Sequence, residues 1–202
     1  MPVSNLKVII FDMYGVILKD PEGGLLPFVN RSFPELTYND VYKHWQQGNI
    51  GAISSAEFFH RIGYTGDPEE LMQQYLDSIE IDESFDEVAK ALQQHYRLAL
   101  LSNDLAEWSA YLRQKFNLDR YFASVVISGV EKIKKPDLRL LNKILESLNV
   151  TPAECLLIDD RVENLNAAEQ VGMQTLLFNS RKVYYPGNIV NSFAELMDYI
   201  SS

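Results

Sequence analysis

The sequence predicts an α/β fold built on a parallel β-sheet, on three observations. Four short runs rich in Val, Ile and Leu stand apart along the chain as buried-strand candidates: Val8–Phe11, Leu98–Leu101, Cys155–Ile158 and Thr175–Phe178. Stripes of helical period lie between them, and strands alternating with helices imply βαβ units. Three of the four runs end in a chemically capable residue, as strands do when their carboxyl ends open onto a ligand crevice.

The elements follow in order. Val8–Phe11 runs into Asp12. From Asp20 to about Ser84 there is no convincing buried strand. That stretch holds helical stripes instead: Val41 and Trp45; Phe58, Phe59 and Ile62; Leu71, Tyr75, Leu76 and Ile79. Its twelve acids face three bases, so nearly all the net charge sits there. It reads as a helical insertion, with an α/β core over 1–19 and 85–202 and a helical domain over 20–84. Leu98–Leu101 runs into Ser102 and Asn103. Leu105, Trp108, Leu112 and Phe116 then share a helix face, with Asn103 and Asp104 expected to cap its start. A weaker strand covers Ser124–Ile127. Pro136 and Asp137 open a helix carrying Leu138, Leu141, Leu145 and Leu148. Cys155–Ile158 runs into Asp159 and Asp160, followed by a short helix with Leu165, Ala168 and Val171 that Gly172 ends.

Composition bounds the function. The 202 residues are 47% hydrophobic and 11% aromatic, enough for a full core. A net charge of -10 argues against nucleic acid, which demands clustered cations. The single cysteine rules out an intramolecular disulfide, and no Cys/His spacing resembles a zinc site. No apolar run reaches the length of a membrane span, and Met1–Lys7 has no signal-peptide core. The expected location is the cytoplasm, as a monomer or homodimer.

In a parallel sheet the three strand ends meet in one crevice. Asp12, Asp159 and Asp160 bring carboxylates together, and a divalent cation relieves their repulsion. Ser102 and the amides of the following turn offer an anion site. A cation and an anion site beside a carboxylate suit phosphoryl transfer to that carboxylate. Lys134-Lys135-Pro136-Asp137 adds a lysine that can point at the phosphate, or simply a solvated helix entrance.

These residues resemble the motifs of the haloacid dehalogenase-like (HAD) hydrolases. The four motifs occur in the expected order: Phe11-Asp12-Met13-Tyr14-Gly15-Val16; Leu101-Ser102-Asn103; Lys135-Pro136-Asp137; and Ile158-Asp159-Asp160-Arg161-Val162-Glu163-Asn164. The resemblance spans nearly the whole chain and implies a Rossmann-like core with an inserted α-helical cap domain. Gln47-Gly48-Asn49-Ile50 followed by Ser54–Phe58 is similar to the cap of bacterial sugar-phosphate phosphatases of this family. The implied roles are Asp12 as nucleophile and Mg2+ ligand, and Ser102, Asn103 and Lys135 as phosphate-binding residues. Ser102 and Lys135 are also catalytic. The Tyr14 carbonyl and Asp160 are implied Mg2+ ligands, Asp159 binds directly or through water, and Asn164 supports the metal loop. The implied activity is Mg2+-dependent hydrolysis of a small phosphorylated metabolite, with a sugar phosphate as one candidate, through an aspartyl-phosphate.

One position departs from the family pattern. Most family phosphatases carry an aspartate two residues after the nucleophile as acid and base; here Tyr14 stands there. A phenol with a reference pKa of about 10 is a poor base at neutral pH, and losing a positioned acid/base costs about 10²–10⁴ in rate. Two alternatives follow: a metal-independent 2-haloacid dehalogenase, whose members also carry tyrosine there, and a non-catalytic metabolite-binding relative. The Asp159-Asp160 pair speaks against the dehalogenase.

Overall fold

The computed structural model describes residues 5–19, 24–31 and 33–202. In chain order, β1 (Val8–Phe11) is followed by β2 (Leu18–Lys19), α1 (Leu25–Asn30), α2 (Tyr38–Gly48), α3 (Ser55–Arg61), α4 (Pro68–Ser78) and β3 (Glu80–Ile81). Then come α5 (Phe85–Leu92), β4 (Arg97–Ser102), α6 (Ala106–Lys115), β5 (Phe122–Ile127), α7 (Ser128–Glu131) and α8 (Leu138–Leu148). The chain closes with β6 (Cys155–Asp159), α9 (Val162–Val171), β7 (Gln174–Phe178), β8 (Ile189–Val190) and α10 (Phe193–Ser201).

Six strands form one sheet in the order β5-β4-β1-β6-β7-β8. Every pairing in it is parallel. Because successive side chains alternate between faces, the central strands feed two cores. Ile9, Phe11, Leu98, Leu100, Leu156 and Ile158 face the layer of α5, α6 and α10. Val8, Ile10, Ala99, Leu101 and Leu157 face α8 and α9, and so does the fully buried Cys155 that opens β6. Burial on both faces explains why these strands read as continuous apolar runs.

All five expected strands are present, each as long as the run in the sequence or one or two residues longer. Glu80–Ile81 falls in the stretch expected to lack strands. It pairs antiparallel with β2, Leu18 opposite Ile81, in a two-stranded sheet apart from the main one. This short pairing holds together the points where the chain leaves β1 and returns to α5. Asp20, the expected first residue of the helical domain, lies outside the described residues, as does Glu22. No described helix is long and apolar enough to cross a membrane.

The cap expected for α6 is corrected. Leu105 is the N-cap residue, and no side chain caps the helix. The Asp104 carboxylate instead accepts the Leu105 N–H at 2.8 Å, while the Asp104 N–H donates to Ser128 Oγ at 3.0 Å. Asn103 is drawn away to Lys135, described below.

The helices α3 and α4 share the core of the α6 side of the sheet. Trp108 of α6 is the join. It is 1% exposed, packs against Phe58, Phe59 and Tyr75 at centroid distances of 5.8, 6.0 and 5.4 Å, and donates its indole N–H to Ser55 Oγ at 2.7 Å. Trp108→Ala is expected to cost about 3–5 kcal/mol in urea unfolding. Ser55→Ala, which strands a buried donor, is expected to cost about 1–3 kcal/mol. A Ser55→Ala variant as stable as the wild type would remove that hydrogen bond from the account.

Candidate active site

The register of the sheet assembles the site. Phe11 of β1 pairs with Leu100 of β4 and Ile158 of β6, so all three strands end at one level. Asp12 continues β1, and its N–H donates to the Ile158 carbonyl at 2.9 Å. Asp159 ends β6, Asp160 follows it, and Ser102 ends β4. Ligand oxygens of Asp12, Asp159 and Asp160 all lie within 4.8 Å of one another, and all three residues are buried.

One ammonium ties these ends together. Lys135 Nζ lies 2.9 Å from Asp12 Oδ1 and donates to Asp159 Oδ2 at 2.7 Å and to the Leu101 carbonyl at 2.8 Å. Lys135 is itself gripped by Asn103, whose side chain donates to the Lys135 carbonyl at 2.9 Å and accepts its N–H at 2.8 Å. The Asn103 side chain is thus committed, and any phosphate contact from this residue falls to its main chain. Asp159 is similarly committed: besides Lys135 it accepts from Asn164 Nδ2 at 3.0 and 3.1 Å and from the Arg161 N–H at 2.9 Å.

Of three buried polar atoms without such a partner among the described residues, Asn49 Oδ1 follows α2 and two lie at the strand ends. Ser102 Oγ and Asp160 Oδ1 are buried without a hydrogen bond among the described residues. The other Asp160 oxygen accepts from Arg181 Nε. Gly15 makes this approach possible: its φ of 75° strains any other residue, and a Cβ there would fall 2.5 Å from Asp160 Oδ2 and displace that carboxylate.

The acids are short of positive charge. Burial pushes Asp12 up to about 7, and Asp159 and Asp160 add to this while Lys135 pulls against it. Burial and Asp159 raise Asp160, against Arg181. Burial opposes the Lys135 charge, yet Asp12 and Asp159 outweigh it and raise its pKa. An orphaned carboxylate oxygen within a cluster of under-compensated acids fits a hard divalent cation.

A cavity of about 960 Å³ opens from Asp12 and Asp160 to the side chains of α2. Tyr14 lines it, and its hydroxyl donates to Asp104 Oδ2 at 3.5 Å. Asp104 is buried, and burial raises its pKa well above the usual carboxylate range despite the Leu105 N–H and the Tyr14 hydroxyl. A second carboxyl therefore stands behind the phenol that replaces the usual aspartate.

A family model for haloacid dehalogenase-like hydrolase matches residues 6–172, most of the chain. The chain belongs to the haloacid dehalogenase-like hydrolase family. It is 32% identical over 99 residues to a glyceraldehyde 3-phosphate phosphatase of Pyrococcus furiosus, covering 48% of this chain and 39% of that one. The chain thus spans about two fifths of the length of that relative. It is 25% identical over 186 residues to a sesquiterpene phosphatase of Aspergillus oryzae, covering 84% and 88%. A HAD family enzyme of Bacteroides thetaiotaomicron shares the fold, with a TM-score of 0.77 at 20% identity over 96% of this chain and 99% of that one.

Within this HAD-family chain, the residues singled out from sequence (Asp12, Tyr14, Ser102, Asn103, Lys135, Asp159, Asp160 and Asn164) gather at the strand ends. Sequence reasoning missed Asp104 and Arg181. The sequence presents Asp104 as a helix cap, and only the folded proximity of Tyr14, ninety positions away, gives it another meaning. Arg181 lies in the turn after β7, where no pattern marks it.

Because folding raises the proton affinity of Asp12 from 3.8 to about 7, the folded state holds that proton across this window, and stability falls as pH rises through it in the absence of divalent cations. Lys135→Met removes the buried ammonium that faces Asp12 and Asp159. At pH 8 in chelator it is expected to cost about 3–5 kcal/mol in urea unfolding. At pH 5 the loss should be smaller, because a proton on Asp12 replaces the missing charge. Equal losses at both pH values would contradict this electrostatic account.

Proposed function

We propose that this chain is a Mg2+-dependent phosphatase of a small phosphorylated metabolite, acting through an aspartyl-phosphate on Asp12. The observation that carries the reading is the convergence of Asp12, Asp159 and Asp160 with the unpartnered oxygens of Ser102 and Asp160. An anion with several oxygens and a hard cation satisfy both vacant partners at once. Phosphatase relatives support the same chemistry.

Asp12, Asp160 and the Tyr14 carbonyl would hold the ion, with Asp159 beside them. When bound, Mg2+ supplies Lewis-acid stabilisation of negative charge on the phosphoryl group. A carboxylate oxygen of Asp12 attacks phosphorus, a new P–O bond forms, and the bond to the ester oxygen breaks. Ser102 Oγ donates to a phosphoryl oxygen, and Lys135 offsets the charge shared between Asp12 and the phosphoryl group. Asn103 and Asn164 act at one remove, fixing Lys135 and Asp159. Water then attacks phosphorus in the aspartyl-phosphate, frees inorganic phosphate and restores Asp12. No carboxylate follows Asp12 at the usual spacing, so the leaving alcohol relies on its own acidity more than in other family phosphatases. Between esters of similar build, the one with the more acidic alcohol is turned over faster.

Asp12→Asn is expected to abolish phosphate release from p-nitrophenyl phosphate, and exhaustive chelation to abolish it reversibly with Mg2+. Undiminished turnover in chelator, or halide release from a 2-haloacid without metal and no phosphate release from any ester, overturns the reading. An independent check avoids turnover. Mg2+ is expected to raise Tm, and to raise it more at pH 8 than at pH 6, because the ion competes with protons for Asp12 and Asp160. Asp160→Asn should remove most of this shift.

A further inference from the structure

The far end of the cavity is built of aromatic rings. The helix α2 begins at Thr37, whose side chain and that of Asp40 form a reciprocal cap. From there Tyr38, Tyr42 and Trp45, spaced four and three residues apart, fall on one stripe. All three line the same cavity as Asp12. The Tyr38 and Tyr42 rings stack at 4.8 Å with an interplanar angle of 20°, and Trp45 lies 5.9 Å beyond Tyr42, tilted by 42°. Tyr38 is 57% and Tyr42 37% exposed. A stacked pair of rings partly open to solvent inside a cavity offers apolar surface to a ligand.

Cationic side chains complete the space between the rings and the carboxylates. Arg161 and Arg181 both line the cavity. Burial and Tyr42 raise the pKa of the Tyr38 phenol, and the charges of Arg161 and Arg181 work against them, so both guanidinium groups lie within electrostatic reach of that ring. Arg181 also reaches Asp160, at the phosphate end. Guanidinium planes stack on flat π systems and pair with anions, which saturated bodies cannot exploit.

Size points the same way. About 960 Å³ lies near the top of the range that encloses a drug-sized ligand. A three-carbon phosphate would leave most of it to water.

Resting on the phosphatase reading above, we propose that Tyr38 and Tyr42, with Trp45 behind them, form a stacking subsite for a flat heteroaromatic group. The substrate class is then a nucleoside 5′-phosphate or a phosphate ester of similar build, its phosphate at Asp12 and its ring system against α2.

The test compares two substrates with the same scissile ester, adenosine 5′-monophosphate and ribose 5-phosphate, in the presence of Mg2+. The wild type is expected to favour the nucleotide at least tenfold in kcat/KM, the scale on which base stacking acts. Tyr38→Leu and Tyr42→Leu keep apolar bulk on an exposed helix face but remove the ring. They should bring the two substrates to within about threefold of each other, mainly through KM. Equal or better turnover of ribose 5-phosphate by the wild type, a preference that survives both substitutions, or a long-chain alkyl phosphate that outpaces the nucleotide overturns the subsite.

Binding separates the subsite from the chemistry. With Mg2+ present, the nucleotide should quench the tryptophan fluorescence of the Asp12→Asn variant and ribose 5-phosphate should not. Quenching that disappears with Tyr42→Leu upholds the subsite even where no ester is hydrolysed. Hydrolysis of simple esters without nucleotide binding overturns the subsite and leaves the phosphatase reading intact.

Discussion

A single buried ammonium organises this molecule's chemistry. Lys135 arrives from the loop before α8 and touches groups at the ends of three neighbouring strands: Asp12 after β1, the Leu101 carbonyl in β4 and Asp159 in β6. With no positive charge there, burial and repulsion from the neighbouring carboxylates would drive a proton onto Asp12 and the geometry of the site would loosen. Such an arrangement contributes little net stability, since desolvating a lysine and two carboxylates roughly cancels their attraction. The two apolar cores on either side of the sheet bear that cost. The lysine in turn depends on the two hydrogen bonds through which Asn103 clamps its backbone. A neutral amide at the end of one strand therefore sets where the positive charge sits among the others.

Much of this was legible in the sequence because it depends on local pattern. Strands buried on both faces must be apolar throughout, so Val8–Phe11 and Cys155–Ile158 announce themselves, and the first polar residue after each marks the crevice. Asp12, Ser102, Asp159 and Asp160 were found in this way. Composition does not separate Lys135 from Lys134; only the resemblance to family members, whose lysine directly precedes the proline, does. What escaped the sequence depends on the fold. The strands β2 and β3 are two residues each, too short for alternation to register, and they exist because distant segments meet. Asp104 has the sequence context of an ordinary helix cap, and only folding brings the Tyr14 hydroxyl beside it. Tyr38 and Tyr42 form a common surface stripe; their meaning comes from the cavity they face.

The two ends of the cavity follow different physical rules. At the strand ends, position is over-determined: Asp159 accepts four hydrogen bonds, and Gly15 passes so close to Asp160 that a side chain there would push the carboxylate aside. At α2 the ring contacts are partly exposed and run along one helix face. The rigid end suits a group that every substrate shares. The looser end suits the part that differs from one substrate to the next. Trp108, in the helix that follows Ser102, is wedged among Phe58 and Phe59 of α3 and Tyr75 of α4 and ties those helices to the strand-end side.

The lone cysteine has a practical side. Cys155 lies in β6 four residues before Asp159, fully covered in the core between the sheet and α8, and burial pushes its thiol up to about 11. A thiol that is both hidden and protonated is inert to alkylating reagents while the sheet is closed. Each modification event then records an opening of the central strands, read by a mass change at one known atom. The protein thus carries its own clock for the breathing of the strand that ends in the active-site carboxylates.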